Sequence, residues 1–315
     1  MITKPIGARS VVLLIVASAF CLPTRAQQPP QFEVNCTLPF ADIAPAHDPF
    51  VNCGNCGVAS KRASPKADVA KAYESNAKND FCAATSRIAV VNFSILRAMQ
   101  KASPKGGNLA DRTILHDFFT THSGTKLGEG DVVKITALIL NAHVSDCKTG
   151  ENVNCSKSGF SNNDIHIPLL DPTAQGGRSQ SECSSVTAEI SPHFRPEVWA
   201  NLDMNTPIKN VVRVTGPLFY DNSHKPCLHI TQKSKGDAAP YRSSLWEVHP
   251  VYKLEVCLST NLGQCDVASD STAVWIPYDK WVAMPGTVTN ATGAAQRKAC
   301  SQGRQTAVVS QKCPI

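Results

Sequence analysis

The sequence predicts a mainly β protein with N-terminal helices (α+β), built on a five-stranded Greek-key barrel and rich in disulfides. Three observations point there. From residue 131 the apolar period changes from 3.6 to 2. The elements after that point read strand, strand, strand, short helix, strand, strand. Twelve cysteines remain once Cys21 is set aside with a leader, an even number suited to an oxidising compartment.

The start of the chain reads as an address. Lys4 and Arg9 precede the apolar run Val11–Phe20, and Thr24-Arg25-Ala26 places small residues before a cut after Ala26. That is the pattern of a cleaved signal peptide. The run is shorter than the roughly 20 residues a spanning helix needs, and no later stretch is apolar enough to cross a bilayer. Residues 1–26 are therefore expected to be removed and the product to be periplasmic or secreted. The net charge of +6 then falls to +3, and 42% hydrophobic against 18% charged residues excludes a disordered chain. Sequons at Asn35, Asn92, Asn154 and Asn290 matter only in a glycosylating host.

Residues 27–127 divide into a cysteine-tied arm and a helical region. The arm holds Pro29, Pro30, Pro39, Pro45 and Pro49 and little periodicity. Its Cys53-Gly54-Asn55-Cys56 lies in a glycine- and asparagine-rich turn, so it reads as structural disulfide halves rather than a redox dithiol. Helices are expected over about 66–80, 92–103 and 110–119. The second has Asn92 as its cap and Phe93, Leu96 and Met99 on one face.

Residues 128–257 hold the barrel. The first strand spans 131–144, with Val133, Ile135, Ala137 and Ile139 on one face. The second spans 164–170, with Ile165, Ile167 and Leu169 opposite Asp164 and His166. The third spans 186–193. A short helix opened by Pro196 follows over 195–202, with proline near its first position. The fourth strand is 210–221, where Phe219 is expected to pack inside. The fifth is 244–257, interrupted by Pro250. Residues 258–315 form a cysteine-tied extension with short strands around 273–276 and 306–309, in which Trp275 and Trp281 are suited to covering a barrel edge. Loop economy makes Cys147–Cys155, Cys257–Cys265 and Cys300–Cys313 local disulfide candidates.

The order of barrel elements resembles the OB-fold over about residues 128–257. Such barrels take ligands across strands two and three and at the loops after strands one and four. Here those loops are 145–163 and 222–242, and ligand binding is expected at that loop end. The segments Asn162-Asn163-Asp164-Ile165-His166-Ile167, Val212-Arg213-Val214-Thr215-Gly216 and Trp246-Glu247-Val248-His249-Pro250-Val251, with Asn154-Cys155, are similar to those of a family of exported bacterial proteins of unassigned function. That resemblance implies no reaction.

One constellation carries chemical potential. Each strand brings a histidine: His143, His166, His193, His224 and His249. Asp164 precedes His166 by two, and Glu247 precedes His249 by two, so each pair shares a strand face; Asp221 precedes His224 by three. Imidazole beside carboxylate suits general acid–base work or a divalent metal such as zinc. The expected centre is Asp164, His166, Glu247 and His249. His143, Asp221, His224, Arg213 and Arg242 are further binding candidates, and His166, His249, His143 and His224 are candidate metal ligands. The same pairs also serve as a purely structural polar network.

No G-x-S-x-G, H-E-x-x-H or phosphate loop occurs. Nucleic acid is a weak alternative partner, resting on Lys225, Lys233, Lys235 and Arg242 with Arg195 and Arg213 and a few aromatics such as Tyr241. The functional expectation is an exported OB-like binding protein whose ligand the sequence does not identify. The alternatives are a metal-dependent hydrolase of phosphodiesterase or nuclease type using the Asp/His/Glu cluster, and a structural envelope protein.

Overall fold

The computed structural model describes residues 85–104, 112–145, 163–191, 195–237 and 239–290, with 74, 77–80, 83, 109, 151, 159 and 160. The leader, the proline-rich arm with its Cys53–Cys56 pair, His193, the strand expected at 306–309 and the candidate pairs Cys147–Cys155 and Cys300–Cys313 lie outside the described residues.

The strands are β1 Ala89–Val90, β2 Phe119–Thr120, β3 Lys126–Leu127, β4 Val132–Ile139, β5 His143–Val144, β6 Ile165–Leu170, β7 Val186–Ile190, β8 Thr206–Pro207, β9 Val212–Tyr220, β10 Trp246–Val248, β11 Lys253–Cys257, β12 Trp275–Pro277 and β13 Thr289–Asn290. Helices complete among the described residues are α1 Phe93–Ala102 and α2 Tyr278–Val282; of the helix expected over about 66–80, Glu74, Ala77 and Lys78 are helical and most of the rest lies outside the described residues.

Five strands close a barrel in the order β4, β6, β7, β10, β9 and back to β4. All pairings in the ring are antiparallel except β7 with β10, which run parallel. This mainly β closed barrel is the architecture the period-2 segments predict, and its strand order is consistent with an OB-like barrel. The strand expected over 244–257 is one path broken at the cis His249–Pro250 bond, as β10 and then β11. Both halves pair with β9, β10 against its end and β11 against its start. Between them, Gly216 lets the strands close: a Cβ there would meet the Pro250 carbonyl oxygen at 2.3 Å.

The inward alternation follows the sequence. Val133, Ile135, Ala137 and Ile139 of β4, Ile165, Ile167 and Leu169 of β6, and Val186, Ala188 and Ile190 of β7 are buried in one core with Trp246 and Val248. Helix α1 packs Phe93, Leu96 and Met99 into this core. Asn92 caps it by accepting from the Ile95 amide at 3.0 Å, and the Trp246 indole donates to Ser103 Oγ at 2.7 Å.

Three elements differ from expectation. The first barrel strand ends at Ile139, and His143–Val144 forms a separate short strand on β6. The helix expected over 110–119 shrinks to a 3-10 turn, Thr113–Leu115, because Phe119 enters a hairpin of β2 with β3. The short helix after β7 is 3-10, Glu197–Asn201, and Pro196 stands as its cap rather than inside it. The tail strand appears as β12, paired with β11, and Trp281 joins the core from α2. Two disulfides are present among the described residues. Cys257–Cys265 is the predicted local bridge, and Cys183–Cys227 ties the turn before β7 to the loop after β9. Among the described residues no helix is long and apolar enough to cross a membrane.

Candidate functional site

Since Ile165, Ile167, Ala188, Ile190, Trp246 and Val248 face inward, the alternate positions face out. His166, Glu189 and Glu247 therefore lie on the outer face of β6, β7 and β10, with Asp164 and His249 at the strand ends. Register aligns them: His143 pairs with His166, His166 with Glu189, and Glu247 with Phe219. Asp221 follows β9 directly, and Arg242 reaches the same face from the loop before β10.

The contacts form one connected network. His249 Nδ1 is 2.9 Å from Glu189 Oε2 and 3.5 Å from Glu247 Oε1, and its Nε2 is 3.6 Å from Asp164 Oδ2. His166 Nε2 lies 3.4 Å from Glu189 Oε1 and 3.7 Å from Glu151 Oε1. Arg242 Nη1 donates to Glu247 Oε2 at 2.6 Å and to Asp221 Oδ2 at 3.3 Å. The other oxygen of Asp221 accepts from Ser223, while His224 Nδ1 meets Asp221 Oδ2 at the rim.

This outer face is not exposed to solvent. Asp164, Glu189, Asp221, Arg242, Glu247 and His249 are all 0% exposed. Ala77, Lys78, Asn79, Asp80 and Ala83 lie across it as a strap. Ala77 packs on Phe219, and Lys78 Nζ sits 3.7 Å from Glu189 Oε2 and 5.3 Å from the centre of the Phe219 ring. Ser191 Oγ donates to Asn79 Oδ1 at 3.5 Å, and the Tyr252 hydroxyl donates to the Asp80 carbonyl. Arg112 covers Phe219 from another side at 4.8 Å, held by a bidentate pair with Glu129.

Burial and charge set the protonation of the cluster. Burial pushes His249 down, but Glu189, Glu247 and Asp164 beside it overcome that and raise it to about 10. His166 is likewise opposed by burial and raised to about 9 by Glu189 and Glu151. Burial lifts Asp164 to about 7, helped by Glu151. Glu189 is held well below the ordinary carboxylate range against its burial, by His166, Lys78 and His249. Asp221 is lowered against its burial by Lys78, His224 and Arg242. At the edge, burial and the His166 imidazole take His143 down to about 4.

The structure thus brings together Asp164, His166, Glu247, His249, Asp221 and Arg242. His143 stands beside them with its ring 5.5 Å from that of His166, and His224 stands at the rim. The four candidate histidine ligands do not gather around one point. Within this cluster the converging set is instead Asp164, Glu189 and His249. Phe219, expected inside the barrel, faces outward under the strap and stacks edge-on to His249 at 5.8 Å. Glu189, Glu151 and Lys78 were not singled out in the sequence. Glu189 carries a readable signal, its outward parity between Ala188 and Ile190; Lys78 carries none.

Arg213 does not belong to the cluster. It lies on the half of β9 that pairs with β11, bidentate to Glu255 at 2.7 and 2.9 Å. Its guanidinium lies 4.8 Å over Trp275 and also donates to the Val267 carbonyl at 3.0 Å. There it lines a second feature, an open groove of about 530 Å³ on the outer face of β4, β9, β11 and β12. Lys134, Lys253, Glu255, Asp270 and Trp275 share that lining. The expected basic patch is also partly spent: Arg242 is buried, and Lys233 pairs with Glu182 at 3.2 Å and covers Tyr241 at 3.8 Å.

No family model matches the chain, and no match arises among curated proteins or among solved structures.

Proposed function

We propose that this is an exported OB-like binding protein that holds a small anionic ligand in the groove over β4, β9, β11 and β12. The observation that supports this is the groove itself. Its volume of about 530 Å³ falls in the usual range for small-molecule sites. Lys134, Arg213 and Lys253 outweigh Glu255 and Asp270 in its lining, so its field favours an anion. The buried Arg213–Glu255 pair fixes one wall before a ligand arrives, while Lys253 stays exposed. A fixed frame with one exposed cation lowers the ordering cost of binding.

The test is a thermal-shift and native mass-spectrometry panel of di- and tricarboxylates, phosphate monoesters and mononucleotides, with neutral sugars as controls. Saturable stabilisation by an anion, lost in Lys253→Glu, supports the reading. No saturable shift across the panel, or a shift that Lys253→Glu leaves intact, overturns it.

The metal-dependent hydrolase is the second reading, supported by the convergence of Asp164, His166, Glu247 and His249. Catalysis there needs substrate to reach Asp164, Glu247 and His249, which are 0% exposed, so their cover must move, although His166 is 12% exposed. Binding in the groove needs no such movement. A purely structural envelope role gives the groove no task.

A further inference from the structure

Asp164, Glu189 and His249 come from the ends or outer faces of three neighbouring strands. One ligand-capable atom from each lies within 4.8 Å of the other two. His249 Nε2 and Asp164 Oδ2 are 3.6 Å apart, near the spacing of two ligands on a tetrahedral ion with bonds of about 2.0–2.2 Å. Acidic residues together do not make a site, but a second observation points the same way. Among the described residues, neither nitrogen of His249 and neither oxygen of Glu189 completes a hydrogen bond, although both residues are 0% exposed. The His249–Glu189 contact is short at 2.9 Å yet lacks hydrogen-bond alignment. Glu247 Oε1 and His166 Nε2 also lack a hydrogen bond among the described residues. Buried polar atoms left this way are rare in folded proteins.

We infer that Asp164, Glu189 and His249 form a binding site for one divalent first-row transition ion. An imidazole with two carboxylates suits zinc, iron, cobalt or manganese better than magnesium or calcium. The ion clasps β6, β7 and β10 together beneath the strap. Glu247, 3.5 Å from His249 Nδ1, is placed to orient the ring as outer-shell carboxylates do. The site is closed to substrate, so its role is to hold the barrel face, and the inference does not depend on the groove.

The test uses the full chain exported to the periplasm and purified without chelator. Elemental mass spectrometry is expected to find one equivalent of metal per chain. Stripped protein reloaded with cobalt(II) is expected to show the intense visible bands of a low-symmetry, four-coordinate ion. Glu189→Gln and His249→Gln keep similar side-chain size and should lower metal affinity at least about tenfold, with the far-UV spectrum preserved. If both fail to fold, a chelator-induced fall in melting temperature of the parent protein, reversed by zinc, supplies the same reading. Folded protein that stays metal-free after reloading with zinc, cobalt and manganese overturns the inference; the cluster then holds water. Full metal retention in both folded variants overturns it as well, since the metal then sits elsewhere.

Discussion

Arg242→Met tests whether the cluster is dry. The side chain is 0% exposed, and its Nη1 alone serves two buried carboxylates, Glu247 at 2.6 Å and Asp221 at 3.3 Å. Removing one partner of a buried ion pair costs roughly 3–5 kcal/mol, because the other charge stays behind. Two features reduce that figure here. Asp221 keeps His224 and the field of Lys78. The Nε and Nη2 groups of Arg242 lack hydrogen-bond acceptors among the described residues, so truncation relieves a penalty of about 1–3 kcal/mol. The net expectation is a loss of about 2–4 kcal/mol. Non-reducing urea unfolding followed by tryptophan fluorescence measures it, with Trp246 buried in the core as reporter. Adding Glu247→Leu should recover part of the loss, since the stranded carboxylate goes with it. A single variant within about 0.5 kcal/mol of the parent would refute the reasoning. It would mean that water reaches the cluster, and the hydrolase reading would gain.

Three further outcomes are expected. Gly216→Ala drives a methyl against the Pro250 carbonyl oxygen, which backbone cannot yield cheaply, and should destabilise by about 1–3 kcal/mol in the same unfolding assay. Replacing Cys183 and Cys227 by serine opens a link across 44 residues, and the chain-entropy relation puts the loss near 4 kcal/mol. Asp237 is lowered by amide donors from Leu228 and Ser234. A carboxylate lowered on folding stabilises above its unfolded pKa of about 3.9 and loses that contribution as pH falls through the lower folded value. Order in the 228–237 loop, read by amide exchange, should therefore weaken only in acid, and Asp237→Asn should remove that dependence.

The barrel was legible because its interior residues differ sharply from their neighbours. On β4, Val133 to Ile139 alternate with Lys134 and Thr136, and parity alone gives the fold. The same parity places Asp164 with His166 and Glu247 with His249, and it also places Glu189, outward on β7 between Ala188 and Ile190. On β9 parity fails. Phe219 faces out but is as buried as Leu218 and Tyr220, because the strap covers that surface. Arg213 shares outward parity with Asp221, yet β9 changes partner from β11 to β10 between them, which sends the two to different places. Lys78 carries no local signal at all: it matters only because the strap crosses strands more than 100 residues away in sequence.

The strap, the cluster and the groove meet at Tyr252. Its ring lines the groove, while its hydroxyl donates to the Asp80 carbonyl and accepts from the Ala83 amide at 3.2 Å. Two residues before Asp80, Lys78 closes the cluster. Tyr252→Phe keeps the ring in the groove wall and removes both strap contacts, each a buried bond whose loss leaves a polar group unmatched at about 1–3 kcal/mol. If this tether holds the strap down, amide exchange over 77–80 and at Ala83 should quicken while the 132–139 strand stays protected. Affinity for a groove-bound anion should be unchanged, since no charged lining residue is altered. Unchanged exchange over 77–80 and at Ala83 would show that Lys78 and Asn79 hold the strap without this tether. Quickened exchange with weakened anion binding would show that the strap itself shapes the groove, and the two faces of the barrel would then have to be treated as one site.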